Sequence, residues 1–201
     1  MLPTIQNRIV NYCQKQNYVL SRDPGQKNII YVEDMDSDGD LNTSDANEFN
    51  DLRLVFDHNL SCVGCWEATT EPGKWYTQRP MNPLGAFRIA FGQYKAWKVG
   101  FHGNSDPHES LIQVAAVDGF RDANKDMMRT GDRKVSGLFG INQHWGYDLP
   151  SNDIGKASAG CLVGRSRKGH RQFMEIVKSD PRYRADRNYL FSTIVIPGNE
   201  I

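Results

Sequence analysis

Residues 86–117, AFRIAFGQYKAWKVGFHGNSDPHESLIQVAAV, are the stretch that best indicates the fold. Short runs rich in β-branched or aromatic residues occur within it at 86–91, 94–101 and 111–117, and upstream of it at 52–56 and 65–69. Gly, Pro and Asn bound these runs, as is typical of β-strands separated by turns. The sequence therefore predicts a mainly β fold with a few helices, an α+β class.

Helices are predicted near both ends of the chain. Within residues 4–16, Ile5, Ile9 and Cys13 recur at helical spacing, which predicts a short amphipathic helix with Cys13 on its buried face. Residues 170–178 carry a similar apolar stripe and predict a second helix.

Two further strands are expected at 28–32 and 189–196. A change in composition near residue 65 suggests two parts of unequal size. We expect residues 1–60 to form an amino-terminal lobe or extension and residues 61–201 to form the main β domain.

The charge composition excludes two classes of partner. The 201 residues include 24 Lys plus Arg and 24 Asp plus Glu, for a formal net charge of zero. Nucleic acids and anionic membranes are bound by clusters of basic residues, and the chain has no polybasic run. We therefore expect no nucleic-acid partner.

Apolar segments are short throughout the chain. None approaches the roughly 20 residues that span a bilayer, and the amino end, MLPTIQNRIVNYCQKQ, lacks the apolar core of a secretory signal. We therefore expect synthesis in the cytoplasm without a signal peptide and no transmembrane segment.

Residues 139–165, FGINQHWGYDLPSNDIGKASAGCLVGR, carry the strongest indication of chemistry. A cysteine becomes a good nucleophile when a nearby base takes its proton, and His144 lies 17 positions before Cys161. The small residues Ser158 and Gly160 leave room for a substrate beside the sulfur and free backbone amides to face an oxyanion. A buried structural cysteine is the simpler interpretation of a lone thiol.

This stretch resembles the signature of L,D-transpeptidase catalytic domains, in which Ser-x-Gly-Cys follows a histidine at similar spacing. The local match covers about residues 139–196. The resemblance implies a β-sandwich of the L,D-transpeptidase type and a cysteine-dependent acyl-transfer enzyme that acts on peptidoglycan stem peptides. In that family the cysteine attacks a meso-diaminopimelate carbonyl, expels the terminal D-alanine and forms a thioester.

The resemblance also implies roles for individual residues. Cys161 is the nucleophile, His144 is the base, and the amides of Gly160 and Cys161 receive the oxyanion. A backbone carbonyl near Trp145 orients the base.

The chain departs from the family pattern at Ala159, where His or Lys is common, and at Val163, where Arg is common. Arg165 is therefore the candidate for binding the substrate carboxylate. Trp145 adjoins the base and is a candidate to line the cleft. Gly100-Phe101-His102-Gly103 resembles the surroundings of the family histidine, so His102 is a second candidate for the cleft.

The resemblance leaves the type of acyl transfer open among L,D-carboxypeptidase, endopeptidase and transpeptidase. No cofactor is needed for the thioester chemistry. Because no export signal is visible, we expect a bacterial or phage protein that phage lysis or secretion machinery delivers to the cell wall.

A zinc-dependent peptidoglycan or amide hydrolase is an alternative function. His102, Asp106 and His108 place two imidazoles and a carboxylate within seven residues, a density that suits a zinc site if His144 or Glu109 joins them. No His-Glu-x-x-His motif is present, and Pro107 disfavours a helix there.

A second alternative is a non-catalytic, calcium-stabilised cell-wall-binding module. The loop from Asp34 to Asp45 places carboxylates at alternate positions before Gly39, as in the first half of a calcium-binding loop. Its twelfth position is Asp45 in place of Glu, and a strand precedes it in place of a helix. We expect any calcium at this loop to be structural.

Cys62 and Cys65 form a lone CxxC. Without a second pair a zinc ribbon is unsupported, and a redox pair, a disulfide or a turn in the core are the alternatives.

Overall fold

The computed structural model describes residues 3–42 and 46–201. Eleven strands lie in this part of the chain. They are β1 (Asn28–Glu33), β2 (Asp51–Phe56), β3 (Cys62–Thr69), β4 (Ala86–Ile89), β5 (Gly92–His102), β6 (His108–Gln113), β7 (Val117–Asp122), β8 (Arg133–Gly137), β9 (Gln143–Trp145), β10 (Leu162–Gly164) and β11 (Phe191–Pro197).

Four short α-helices and a closing 3₁₀ turn accompany the strands in the described residues. They are α1 (Pro3–Lys15), α2 (Lys74–Gln78), α3 (Arg167–Lys178), α4 (Pro181–Ala185) and the turn Gly198–Glu200. Ser166 caps α3 by accepting a hydrogen bond from the Gly169 amide, which starts this helix three residues before the predicted 170. Among the described residues no helix has both the length and the apolar character needed to cross a membrane.

Eight strands close into a barrel in the order β1-β11-β5-β6-β9-β10-β3-β2, and β4, β7 and β8 form a separate three-stranded sheet. Two neighbouring pairs, β1 with β11 and β9 with β10, are parallel. The predicted mainly β class with a few helices is confirmed. The predicted strand at 111–117 is two strands, because β6 ends at Gln113 and the amides of Val114 and Ala115 bond instead to the Ala96 carbonyl.

Apolar side chains pack on both faces of the strand β1. On one face, Ile29 and Tyr31 join the main core with Trp97 and Phe173. On the other face, Ile30 and Val32 pack against α1 through Ile5, Ile9 and Cys13. The prediction that Cys13 is a buried residue of a helix is therefore confirmed.

The described part of residues 1–60 contributes two strands to the barrel. Their strands β1 and β2 pair with each other, and the barrel continues from β1 to β11 and from β2 to β3. This segment therefore provides two of the eight barrel strands that surround the core.

Candidate active site

Two adjacent parallel strands bring Cys161 and His144 to the same place. Leu162 of β10 is in register with Gln143 of β9, so Cys161 directly precedes the strand beside the one that carries His144. The Leu162 amide donates to the Asn142 carbonyl at 3.0 Å, which extends this pairing toward the cysteine. Because alternate residues of a strand share a face, Asn142 and His144 point to the side on which Cys161 lies.

Cys161 and His144 line a cleft of about 670 Å³, hereafter the Cys161 cleft. Its wall also includes His102, Tyr147, Phe87 and Arg121. The barrel supplies the cysteine and the histidines, whereas Phe87 of β4 and Arg121 of β7 come from the three-stranded sheet. The cleft therefore lies between the two sheets.

His144 is held in a single orientation. Its Nδ1 lies 2.8 Å from the Trp145 carbonyl oxygen, and only an Nδ1–H can donate to that acceptor. Nε2 is therefore the nitrogen that is free to accept a proton. Burial lowers the pKa of His144 well below its usual value, and the neighbouring His102 lowers it further, so the imidazole is neutral at physiological pH.

Cys161 is a protonated thiol in the resting protein. Burial raises its pKa to about 11, although the backbone amide of Asn142 opposes this shift. The Sγ faces the Gly140 carbonyl oxygen at 3.6 Å. For a neutral thiol to act as a nucleophile, a base must take its proton.

Ser158 organises the turn that presents the cysteine. Its hydroxyl is fully buried, donates to the Cys161 carbonyl oxygen at 2.9 Å and accepts from the Gly160 amide at 3.1 Å. The Gly160 amide is therefore already engaged, which differs from its expected role as an oxyanion donor. Both of these bonds of the Ser158 hydroxyl lie within the loop.

Gly160 is required at its position for two reasons. Its φ of +125° is unfavourable for residues with a side chain, and a Cβ there would lie 2.4 Å from the Phe87 carbonyl oxygen. The absence of a side chain lets the loop before Cys161 pack directly on β4.

His102 lines the cleft beside His144. The two imidazoles are stacked, with ring centroids 3.9 Å apart and planes inclined by 11°. The Asn142 side-chain amide lies 3.0 Å from His102 Nδ1 and donates to it, so the neutral ring carries its proton on Nε2.

Trp145 and Arg165 lie away from the cleft. Trp145 follows His144 in β9, so its side chain points to the opposite face of the strand. There its indole stacks on the His108 ring, with ring centroids 3.7 Å apart. Arg165 forms an ion pair with Glu67 and donates to the Leu149 carbonyl oxygen at 3.1 Å. The expectation that Trp145 lines the cleft and that Arg165 binds the substrate carboxylate is therefore not met by their positions.

Arg121 and Lys156 line the cleft, although the sequence predicts no role for either side chain. Arg121 lies in β7 with no motif around it, and it reaches the cleft only because the three-stranded sheet packs there. Lys156 is part of the run that leads to Cys161, and its ammonium lies 4.0 Å from the centre of the Trp75 ring. Its position in that run was the one available signal.

The proposed zinc ligands do not converge. His108 Nδ1 bonds to the Asp106 backbone carbonyl at 2.9 Å, and the Asp106 carboxylate pairs with Arg167 at 3.1 Å. The rings of His102 and His108 meet edge to face with centroids 5.7 Å apart. Within residues 3–42 and 46–201, no group of three or more His, Cys, Asp or Glu side chains is arranged to hold a metal ion.

The acidic loop closes as a short hairpin over the part that is described. Met35 bridges to Leu41, and Asn42 donates to the Asp36 carboxylate at 3.0 Å. A strand, β1, precedes the loop as predicted. Asp45, the twelfth position of the expected calcium loop, lies outside the described residues.

Cys62 and Cys65 are free thiols, so no disulfide joins them in this structure. The Cys62 thiol donates to the Gly64 carbonyl oxygen at 3.2 Å. Both residues pack beside α1 and the Ile194 face of the barrel.

No protein-family model, no curated protein and no solved structure matches the chain. The resemblance to L,D-transpeptidases therefore depends on the motif between His144 and Cys161 and on the chemistry of the cleft.

Proposed function

We propose that this protein is an L,D-transpeptidase-like cysteine enzyme that transfers acyl groups of peptidoglycan stem peptides through a thioester on Cys161. The observation that carries the proposal is that Cys161 and His144 share one cleft from adjacent strands, with His144 Nδ1 bonded to the Trp145 carbonyl. This bond provides the orienting carbonyl that the resemblance implies near Trp145. It also leaves Nε2 as the base.

The proposed reaction starts from the neutral pair. As Sγ attacks the scissile carbonyl carbon, the thiol proton passes to His144 Nε2, and the carbonyl oxygen becomes an oxyanion. Because Ser158 already accepts from the Gly160 amide, the Cys161 amide is the remaining oxyanion donor of the two that we expected. The imidazolium then protonates the leaving amine, the C–N bond breaks, and the acyl group stays on sulfur as a thioester.

In deacylation, His144 again acts first as a base and then as an acid. His144 removes a proton from water or from an acceptor amine, which attacks the thioester carbonyl, and the proton returns to the cysteine sulfur as it leaves. Water as acceptor gives hydrolysis, and an amine gives transpeptidation.

The substrate class and the place of action follow from the resemblance. We propose peptidoglycan stem peptides as partners and the bacterial cell wall as the place of action. The mainly β fold is compatible with the L,D-transpeptidase type of sandwich that belongs to this proposal. The proposed chemistry uses only side chains and backbone groups of the chain, and any calcium at Asp34–Asp45 has a structural role.

Incubation with purified disaccharide-peptides, followed by mass spectrometry of the products, tests the proposal. We expect release of D-alanine, cleavage of cross-links or formation of new ones, persisting in the presence of a chelator and lost in Cys161→Ala. The matched control is Cys65→Ala, which removes a partly buried thiol outside the Cys161 cleft and should leave turnover unchanged.

Two results would contradict the proposal. Turnover that a chelator abolishes and Cys161→Ala retains would favour a metal-dependent hydrolase. Retained binding of the disaccharide-peptides without turnover would favour a non-catalytic cell-wall-binding module.

A further inference from the structure

The Cys161 cleft has an uneven distribution of charge. Its lining includes the cations Arg121 and Lys156, and no Asp or Glu side chain among the described residues lines it. Cations that face a partly desolvated space without a counter-ion attract an anionic ligand. The cleft is therefore built for a substrate with a negative charge near the reacting bond.

Arg121 is the more buried of these two cations. The residue is 8% exposed, and its guanidinium lies 5.4 Å from the centre of the Phe87 ring and 4.9 Å from that of Phe139. The two rings are themselves in contact, with centroids 4.8 Å apart. They fix the plane of the guanidinium, as aromatic faces commonly do for Arg.

The hydrogen-bonding capacity of Arg121 is largely unused. Nη1 donates to the Gly85 carbonyl oxygen at 3.2 Å, and no carboxylate of the described residues pairs with this side chain. The buried Arg88 and the partly buried Arg129 differ, because they pair with Glu71 and Glu33, respectively. Arg53, also buried, does not line the cleft.

Phe87 connects this cation to the nucleophile. Its ring contacts the Arg121 guanidinium, and its carbonyl oxygen packs against Gly160, the residue before Cys161. One residue of β4 therefore separates the cation from the cysteine loop. The α-carboxylate of a leaving terminal residue is separated from the scissile carbonyl by only the amide nitrogen and the α-carbon.

We infer that Arg121 binds the free α-carboxylate of the residue that leaves the acyl donor. The identity of the ligand rests on the proposed function, whereas the anion-binding character rests on the cleft itself. The pairing makes the enzyme act on the terminal residue of a stem peptide, as a carboxypeptidase or a transpeptidase donor site does. Cleavage within a cross-linked peptide does not present this carboxylate.

The test compares three synthetic stem tetrapeptides: one with a free terminal D-alanine carboxylate, its terminal amide, and a peptide amidated only on the diaminopimelate side chain. Binding to full-length Cys161→Ala protein is measured by calorimetry, and turnover is measured with the wild type. We expect the terminal amide to bind about 10- to 100-fold more weakly than the acid, as for loss of a charge-assisted hydrogen bond.

Arg121→Gln, made in the Cys161→Ala background, should abolish the preference for the acid, and Arg121→Lys should retain part of it. The matched control is Arg133→Gln, which removes an exposed cation in register with Arg121 on β8 and should preserve the preference. The acid and the terminal amide are also compared in Cys161→Ala protein that keeps Arg121. This comparison tests the inference even if the Arg121 variants fail to fold.

Equal affinity for the acid and the terminal amide, or no binding of either, would overturn the inference. A loss of affinity on side-chain amidation alone would overturn it as well, by placing a different carboxylate at the cation. Selective binding of the acid without wild-type turnover would refute the proposed function and support the subsite. Turnover that depends on Cys161 but is equal for acid and amide would support the function and refute the subsite.

Discussion

The imidazole of His102 lies flat against that of His144, with ring centroids 3.9 Å apart. Only one of these stacked rings carries the bond to a main-chain carbonyl that frees Nε2, because His144 donates to Trp145 whereas His102 accepts from Asn142. Protonation of either ring would place a cation against its neighbour, and His102 accordingly contributes to the low pKa of His144. In the proposed reaction, His102 therefore lowers the pKa of the base, His144, without replacing it.

Substitution of the two histidines should have different consequences. We expect His144→Gln to lower kcat/KM by about 10²- to 10⁴-fold, as for loss of a general base, and His102→Gln to retain measurable turnover. Removal of His102 takes away an interaction that disfavours protonated His144, so the pKa of His144 rises. The acidic limb of the kcat/KM profile should then move to higher pH. Loss of activity in His102→Gln with normal activity in His144→Gln would reverse the assignment of the base.

Alkylation should report a neutral thiol at Cys161. Burial raises the pKa of Cys161 to about 11. At pH values below this pKa, the thiolate fraction increases tenfold for each unit by which the pH rises. We expect the rate of iodoacetamide modification, followed by mass spectrometry of the Cys161 peptide, to rise about tenfold per unit from roughly pH 7 to 10. His144→Gln should show the same dependence. A rate that is constant across this range would indicate a resting thiolate–imidazolium pair.

Gly160→Ala should disrupt the loop that presents the cysteine. Alanine is strained at the positive φ of position 160, and its Cβ would collide with the Phe87 carbonyl oxygen. We therefore expect a loss of about 2 to 4 kcal/mol in the free energy of unfolding, or a displaced loop with low turnover. Gly131→Ala is the control, because its φ of +83° is also positive but no atom lies within 4 Å of the added Cβ. Urea unfolding of both variants measures the difference. Equal losses would show that the contact with Phe87 is unimportant.

His170 should make stability depend on pH. Arg53 Nη1 lies 3.1 Å from His170 Nδ1, and His170 Nε2 lies 2.8 Å from the Glu109 carbonyl oxygen, so the ring accepts from the arginine and donates to the carbonyl. Burial, with the adjacent guanidinium, lowers the pKa of His170 from 6.5 to about 2. Between these values the unfolded chain binds a proton that the folded protein does not, so stability is lost as pH falls below 6.5.

The comparison of wild type with His170→Gln isolates this contribution, because the other titrating groups are common to both proteins. As the pH falls below the ordinary pKa of histidine, we expect the wild type to lose up to about 1.4 kcal/mol of unfolding free energy per pH unit relative to the variant. Urea unfolding from about pH 7 to 5 measures it. Parallel stability curves for the two proteins would contradict the neutral, buried state of His170.

Local sequence patterns predicted much of the secondary structure. The apolar spacing of Ile5, Ile9 and Cys13 predicts α1 and its buried face because a helix repeats every 3.6 residues, whatever it packs against. The β-branched runs predict β1, β2 and β5 for a similar reason. The short strand β9 was not predicted, since three residues are too few for a periodicity to appear.

The sequence by itself identified Cys161 and His144 as a candidate pair, because their residue types and spacing are properties of a short segment. The tertiary structure alone decided which other groups accompany them: Arg121 enters the cleft on a separate sheet, and Arg165 is neutralised by Glu67 on β3. Spacing along the chain says which face of a strand a side chain occupies. The partner on that face is set by pairing between distant segments, such as β1 with β11, and by the packing of one sheet on another.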